Sequence, residues 1–355
     1  MPSLVVKVQF KLLIFLSLPR YCAMTRPPTE QQPPRVRPVT CLGDKYIFDR
    51  ESYSWKKTDT VVCVTHPDKP LASGSMRVCY EVEEIDVDGG SSPMVAKIFM
   101  QKNPTVNSED YFNEGKTQCM CEEFADNFNR LHVTGVHKPN ISFLQCYVVL
   151  LPRDNIPPDY QDWSKGFFSY KTQDTQEVMF VMEPKLDGHF TKYNNNNGKT
   201  YPEDPTARLT PSQSDRRTAI FEAAEAFSHF SLAESGGSML VCDLQGVHDF
   251  LTDPQILMED GKGLGMGNVG QKGIDKWVKV HQCNAICKAL GLQPLHGVAP
   301  SSVSRQSNHY VGLRAQLQMQ NPVRPQDLIP LSKPLDQMTE EERIEYAIKL
   351  SNLTS

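Results

Sequence analysis

The chain of 355 residues has few cysteines, little net charge and no long uninterrupted apolar run. Ten cysteines are too few for a disulfide scaffold at this length, and several lie in apolar, strand-like runs where reduced buried thiols are usual (Cys79, Cys146, Cys242). A net charge of −5 provides no general attraction to nucleic acid. We therefore expect a protein of the reducing cytoplasm that has no nucleic-acid partner.

The most apolar stretch lies at the N-terminus and is short. Residues 4–18 are interrupted by Lys7 and Lys11 and are too few to span a bilayer comfortably, so no membrane span is expected. Three interpretations of this stretch stay open. It is either the core of a signal peptide with a small residue at Ala23, or a strand-like or disordered extension, or the product of an upstream start ahead of Met24.

Most of the chain alternates between strand and helix patterns. Residues 24–40 are polar and rich in proline, which indicates an extended linker, and strand patterns begin at Tyr46. Strands followed by mixed helices and strands predict an α+β fold with two lobes. The predicted helices cover 108–131, 218–234 and 273–291, and a strand is predicted over 238–247, with a loop of roughly thirty residues before the last helix. The predicted domains are an N-terminal extension and linker (1–45), a catalytic domain (46–296), a flexible linker (297–334) and a C-terminal helix (335–355).

A group of metal-ligating residue types lies near the end of the predicted domain. His281, Cys283 and Cys287 fall within seven residues, and histidine and cysteine are the usual ligands of zinc. In a helix, Cys283 and Cys287 would lie one turn apart on the same face. Because zinc takes four ligands, a fourth must come from elsewhere in the chain.

Two basic residues lie beside strand patterns. Lys97 lies inside the apolar strand MVAKIF, where an unpaired ammonium is costly to bury, so a phosphate or carboxylate partner is expected. The alternative is a lysine on the solvent face of an edge strand. Arg77 ends the small-residue segment ASGSMR, whose backbone could approach a phosphate; taken alone, the segment favours a plain hairpin turn instead.

Oxygen-bearing side chains follow the strand pattern over 238–247. Asp243 and Gln245 lie two residues apart at its end, and Asp253 opens the turn before Pro254. Such oxygen ligands on loops suit Mg²⁺ bound to nucleotide phosphates, whereas a single strand-end aspartate is often only a turn or helix cap.

A glycine-rich loop follows these residues. Gly265, Gly267 and Gly270 form a G-x-G-x-x-G pattern that does not follow a strand within a βαβ unit, so a loop of close backbone approach is expected rather than a dinucleotide site.

Six segments occur in the same order as in the alpha-kinase family, which includes the myosin heavy chain kinases, the elongation-factor-two kinase and the channel-kinases. They are VAKIF, FVMEPKLDGHFTKYNNNNG, AFSHF, LVCDLQGVHDFLTDPQI, GLGMGNVGQKGI and HQCNAIC. The chain resembles this family over roughly residues 46–296. The resemblance implies an atypical two-lobed protein-kinase fold with a structural zinc in the C-terminal lobe. It also implies that the ATP γ-phosphoryl is transferred to a serine or threonine hydroxyl of a protein substrate, with ATP, Mg²⁺ and Zn²⁺ as cofactors.

The resemblance also implies roles for individual residues. By position, they are Lys97 (nucleotide binding), Arg77 (above the phosphates), Glu183 to Leu186 (a hinge contacting adenine), Lys192 (near the active site), Asp243 (catalytic), Gln245 and Asp253 (Mg²⁺), Gly265, Gly267 and Gly270 (substrate peptide), and His229 (the fourth zinc ligand). His248 is the rival for that fourth place. Pro184 and Lys185 in the hinge and the long loop after Asn197 depart from the family pattern.

The C-terminal helix suggests a second partner. Thr339 and Glu342 form a capping box, and Ile344, Ala347 and Ser351 follow at helical spacing, which resembles a ubiquitin-interacting motif. An amphipathic helix that docks on the kinase domain is the alternative. For the whole chain, the second functional hypothesis is a pseudokinase or scaffold that binds nucleotide and ubiquitin without catalysis.

Overall fold

A computed structural model describes residues 37–100, 106–203 and 208–295. The signal-peptide interpretation, most of the predicted proline-rich linker, the linker at 297–334 and the predicted ubiquitin-binding helix all lie outside these residues. Within them, no helix is both long enough and apolar enough to cross a membrane.

The described residues form thirteen strands and five α-helices, besides two short 3-10 turns. In chain order they are β1 (Val39–Asp49), β2 (Ser54–Val64), β3 (Ala72–Ser73), β4 (Arg77–Ile85), β5 (Ser91–Phe99), α1 (Ser108–Arg130), β6 (Ser142–Phe143), β7 (Tyr147–Leu151), α2 (Pro158–Gln161), β8 (Val178–Pro184), β9 (Thr191–Lys192), α3 (Pro211–Glu234), β10 (Met239–Cys242), β11 (Gln245–Val247), β12 (Phe250–Thr252), β13 (Gln255–Met258), α4 (Gln271–Val280) and α5 (Ala285–Ala289). The predicted α+β class is confirmed.

The first half of the chain builds an antiparallel sheet that closes on itself. Its strand order is β2-β1-β7-β8-β5-β4-β3, and β2 also pairs with β4, so six strands form a closed circuit. Alternating residues of β4 point into the circuit (Val78, Tyr80, Val82), as the period of two in a half-buried strand requires. Closure gives these apolar side chains a shared interior and leaves only the two-residue β3 as an edge strand of this sheet.

Helix α1 packs against the outer face of this sheet at β8, β7 and β1, and its first turns reach the end of β5. Asn107 and Asp110 form a capping box at its start, so the first turn has partners for its free N–H groups. The Tyr111 hydroxyl accepts a hydrogen bond from the Phe99 amide at 3.1 Å. Residues 94–99 are buried on both strand faces, with Phe99 against Tyr111 of the helix and Lys97 against Glu183 of β8.

The second half packs around α3. One sheet has the order β6-β12-β11-β9, and β10 pairs with β13. Phe128 of α1 contacts Phe227 and Phe230 of α3, with ring centroids 5.6 Å apart in both pairs. Helix α1 thus packs against both halves, and the junction of the two halves along it is called the cleft below.

Four sequence predictions of local structure were wrong. First, β1 begins at Val39, ahead of the strand start predicted at Tyr46. Second, the single strand predicted over 238–247 is two strands, because Asp243 adopts φ +59°, a left-handed conformation that ends a strand. Third, the stretch between Val247 and α4, predicted as a loop, contains β12 and β13.

Fourth, the predicted helix over 273–291 is two helices. Helix α4 ends at Val280, and His281 takes an extended backbone conformation. The Asn284 side chain caps α5 by accepting a hydrogen bond from the Cys287 amide at 3.0 Å. A new helix therefore starts here, and only Cys287 of the two cysteines is helical, so the expected one-turn relation with Cys283 does not exist.

Candidate active site and candidate metal cluster

Lys97 is buried, which excludes the solvent-face alternative for this residue. Its side chain projects from β5 and forms an ion pair with the Glu183 carboxylate of β8. Its Nζ lies 3.0 Å from Asp253 Oδ1 and donates to Thr252 Oγ1 at 2.6 Å. The carboxylate partner expected from the sequence is present, and these contacts offset the cost of burying the ammonium.

Arg77 contacts the same oxygen of Asp253 as Lys97 does. Its Nη1 lies 2.6 Å from Glu114 Oε2 and 3.2 Å from Asp253 Oδ1. Burial raises the pKa of Asp253, but the charges of Arg77 and Lys97 outweigh burial and hold that pKa below its usual value. Asp253 is therefore ionised at neutral pH and bridges two cations.

Two contributors to this cleft escaped the sequence analysis. Glu114 and Gln118 lie four residues apart on α1, so they project from one helix face. The Gln118 amide donates to Leu144 O at 2.7 Å and to Glu183 Oε2 at 3.0 Å, and it accepts from the Asp253 amide at 3.1 Å. Two polar residues on the apolar face of a predicted helix were the available signal, because buried polar groups need partners.

A second set of polar side chains, Lys192, Asp243 and Gln245, lies at the junction of β10 and β11. Lys192 Nζ is 2.6 Å from Asp243 Oδ1 and 3.5 Å from Gln245 Oε1, since β9 and β11 pair Lys192 with Gln245 in register. Burial raises the pKa of Asp243, an effect that Lys192 partly counters and the charge of Asp253 reinforces. Asp243 also interacts with Arg77, so both sets of polar side chains share one electrostatic environment.

The glycine-rich loop packs against protein side chains. A Cβ at Gly265 would lie 2.8 Å from Glu114 Oε1, and one at Gly267 would overlap the Gln255 side chain. Gly270 has φ +69°, which glycine adopts without strain. The expected close backbone approach is confirmed for the loop's contacts within the protein.

The predicted hinge runs from Glu183 in β8 to Leu186, which follows that strand and is half-buried. The side chain of Glu183 points towards Lys97, a contact that the sequence did not indicate.

The four predicted metal ligands lie together. One ligand atom from each of His229, His281, Cys283 and Cys287 lies within 4.8 Å of every other. The Cys283 Sγ to His229 Nδ1 and Cys287 Sγ to His281 Nε2 distances are both 3.7 Å. Zinc bonds of ordinary length would place tetrahedral ligands about 3.3–3.8 Å apart, so these two distances and the nitrogen and sulfur donors suit this metal.

His229 rather than His248 completes the cluster. His248 lies in the turn between β11 and β12, where its carbonyl accepts from the Tyr193 hydroxyl at 3.1 Å. Burial lowers the pKa of His229 to about 4, so its imidazole is neutral, which is the form that binds a metal.

Known proteins resemble this chain in both sequence and fold. The sequence model of the alpha-kinase family matches residues 72–287. The chain belongs to the alpha-kinase family. Alpha-protein kinase 1 of Dictyostelium discoideum is 33% identical over 255 residues, which cover 71% of this chain and 15% of that protein. Eukaryotic elongation factor 2 kinase of Homo sapiens is 29% identical over 245 residues, which cover 66% of this chain and 28% of that protein. This alpha-kinase chain thus spans under a third of the length of either relative.

Solved alpha-kinase domains share the fold. The alpha-kinase domain of myosin heavy chain kinase A in complex with AMP superposes with a TM-score of 0.56 at 27% identity. The match covers 72% of this chain and 100% of that one. Structures of the same domain with ADP and, in an inactive form, with ATP both give TM-scores of 0.56. The fold is therefore that of an alpha-kinase domain, with mixed helices and strands.

Proposed function

We propose that this alpha-kinase chain is a serine/threonine protein kinase that transfers the ATP γ-phosphoryl to a protein hydroxyl. The observation that carries the proposal is the convergence of Lys97 and Arg77 on Asp253, beside Asp243, in one cleft. Two cations, one buried and one half-buried, next to two carboxylates suit a reaction whose catalysis consists mainly of positioning and charge neutralisation. The nucleotide complexes of the related alpha-kinase domain support the proposal.

Each side chain has a chemical role in this proposal. Lys97 and Arg77 would bind phosphate oxygens, which are alternative partners to the carboxylate they share here. The backbone from Glu183 to Leu186 would hydrogen-bond adenine. Asp243 would orient the acceptor hydroxyl and take its proton as the hydroxyl oxygen bonds to the γ-phosphorus, and its contact with Lys192 limits how far burial raises its pKa.

The cleft also offers ligands for Mg²⁺. Asp253 Oδ1 and Gln245 Oε1 are hard oxygen donors of the kind this cation prefers. Bound Mg²⁺ would neutralise charge on the phosphate oxygens of the nucleotide. The lowered pKa of Asp253 keeps its carboxylate available as a ligand at neutral pH.

We further propose that His229, His281, Cys283 and Cys287 hold a structural zinc. The four-residue donor set leaves no open coordination position, which is typical of structural rather than catalytic zinc. Metal analysis of purified protein should find one zinc per chain. A chain that contains no zinc and melts at the same temperature with and without a chelator would contradict this role.

Two partner assignments rest mainly on the sequence. The loop with Gly265, Gly267 and Gly270 is proposed to contact the substrate peptide, and its placement beside Glu114 of the cleft supports this role. Ubiquitin binding by Ile344, Ala347 and Ser351 is proposed from their helical spacing.

The decisive experiment is phosphoryl transfer from labelled ATP to a basic test protein, followed by analysis of the labelled amino acid. Asp243→Asn should keep the melting temperature and reduce transfer by about 10²-fold or more, because an amide cannot accept the hydroxyl proton. The control is Asp162→Asn, which makes the same change at an exposed carboxylate paired with Arg153.

Labelled serine or threonine is the expected product. If Mg·ATP raises the melting temperature of the unsubstituted chain but that chain transfers no phosphoryl group, the pseudokinase hypothesis is favoured instead. Transfer by Asp243→Asn equal to that of the control would contradict the role of Asp243.

A further inference from the structure

Glu225 is a buried carboxylate that the proposed reaction does not use. It lies on α3, four residues before His229, and is 6% exposed. Its Oε1 accepts a hydrogen bond from Asn194 Nδ2 at 2.9 Å, and its Oε2 lies 3.6 Å from His281 Nδ1. Within the described part of the chain, no lysine or arginine forms an ion pair with it. A buried anion of this kind needs compensating partners, and two are aimed at it.

The first partner is the imidazole of a predicted metal ligand. His281 Nε2 faces Cys287 Sγ, inside the cluster, whereas Nδ1 faces Glu225 on the opposite side of the ring. Among the described residues, Nδ1 has no hydrogen-bond partner within the usual distance, although it is fully buried. Trp277 stacks on the ring with centroids 4.3 Å apart. A carboxylate behind a ligating imidazole holds the proton on the far nitrogen and orients the near one.

The second partner leads to the catalytic segment. Asn194 is fully buried, and its Oδ1 accepts a hydrogen bond from the Leu244 amide at 3.0 Å. The Tyr193 amide donates to the Leu244 carbonyl at 2.8 Å, so both sides of this residue are held. Leu244 directly follows Asp243, whose φ of +59° is strained for a residue other than glycine. Such a backbone persists only when neighbouring contacts hold it.

We propose that Glu225 is a positioning residue that joins the His/Cys cluster to the backbone of Asp243. One carboxylate oxygen would accept a hydrogen bond from His281 Nδ1–H, and the other accepts from Asn194, whose own oxygen accepts from the amide after Asp243. The inference rests on the proposed roles of the cluster and of Asp243. It adds that the metal site supports catalytic geometry as well as folding.

Glu225→Gln tests this link because it keeps the size of the side chain and leaves a single oxygen. That oxygen can accept from His281 or from Asn194, but not from both, and the new NH₂ group faces a donor at the other position. The matched control is Glu222→Gln, which removes the same charge from the same helix. At Glu222 it is the backbone carbonyl that accepts from Asn284 Nδ2 at 2.6 Å, and the substitution leaves that group in place.

Two measurements are made on zinc-loaded full-length protein. The first is the rate at which zinc passes to a coloured chelator, which we expect to rise about 10- to 100-fold in Glu225→Gln, as for other partners of metal-bound histidines. The second is kcat and KM for ATP with the test protein. We expect kcat to fall about tenfold or more while KM stays within about twofold, because the acceptor-aligning residue moves and the phosphate-binding cations do not.

Asn194→Ala separates the two halves of the link. Asn194→Ala should lower kcat as much as Glu225→Gln does, but it should release zinc more slowly than Glu225→Gln. The double variant should have nearly the same kcat as Glu225→Gln alone, because both changes break the same link. Zinc release and kcat in Glu225→Gln equal to those of Glu222→Gln would overturn the inference and leave the proposed function intact. Failure of the unsubstituted chain to bind zinc or transfer phosphate would instead overturn the proposed function itself.

Discussion

Gln118 makes the sharpest stability prediction because one amide holds three separate segments. It contacts the carbonyl of Leu144 before β7, the carboxylate of Glu183 on β8 and the amide of Asp253 after β12. Gln118 is 4% exposed, so water cannot replace these contacts without structural change. Gln118→Met keeps the length of the side chain and removes all three hydrogen bonds.

The magnitude follows from the groups that lose a partner. Leu144 O and Asp253 N each lose the hydrogen bond that the Gln118 side chain supplies, and a stranded buried group costs about 1–3 kcal/mol. Glu183 keeps Thr252 and Lys97 as partners, so losing its hydrogen bond from Gln118 costs less free energy. Because both neutral groups are only partly buried, we expect a loss of about 3 kcal/mol in the free energy of unfolding.

Urea denaturation measures this loss. With a slope of about 3 kcal/mol per molar urea, the midpoint should fall by about 1 M while the slope stays constant. Gln173→Met makes the same change at an exposed position and should shift the free energy of unfolding by no more than about 0.5 kcal/mol. Equal midpoints for the two variants would refute the reasoning, since the three contacts would then contribute nothing.

Two further predictions concern pH and partners. Burial raises the pKa of Asp243, with Lys192 opposing it, so kcat/KM should fall on the acid side as Asp243 becomes protonated, at a pH above that of an ordinary aspartate. Lys192→Met should move this limb to higher pH, and an unchanged pH profile would contradict the assignment. Full-length chain should bind immobilised ubiquitin, and Ala347→Glu should abolish this binding because a larger charged side chain prevents close approach of the helix; retention by the variant would refute the motif.

The sequence indicated that Lys97 needs a partner but not which one. An ammonium in an apolar strand is costly, and that argument is local to the strand. Glu183 became the partner because β5 and β8 pair in a closed sheet, which depends on strands far apart in sequence. Glu114 was missed for the same reason: periodicity predicts the helix but not which of its polar residues will face the cleft.

For the His/Cys cluster the reverse holds: the sequence indicated the chemistry, and the local geometry was predicted wrongly. His281, Cys283 and Cys287 are close in sequence, so their residue types and spacing were enough to indicate their chemistry. Their geometry was predicted wrongly, because the Asn284 cap starts a second helix where hydrophobic periodicity had suggested one continuous helix. The chain can still bring the four donor atoms together, since Cys283 reaches His229 from an extended segment rather than from a helix.

By itself, the sequence determined the kinds of side chain available, the periodicity of the longer helices and strands, and the ordered motifs by which the chain is identified as an alpha-kinase. Only the tertiary structure decided that β2 closes the sheet on β4 and that two cations share one carboxylate oxygen of Asp253. It also decided that the peptide after Asp243 is held by Asn194. Local patterns reflect the energies of neighbouring residues, whereas these contacts join segments whose proximity depends on how the whole domain packs.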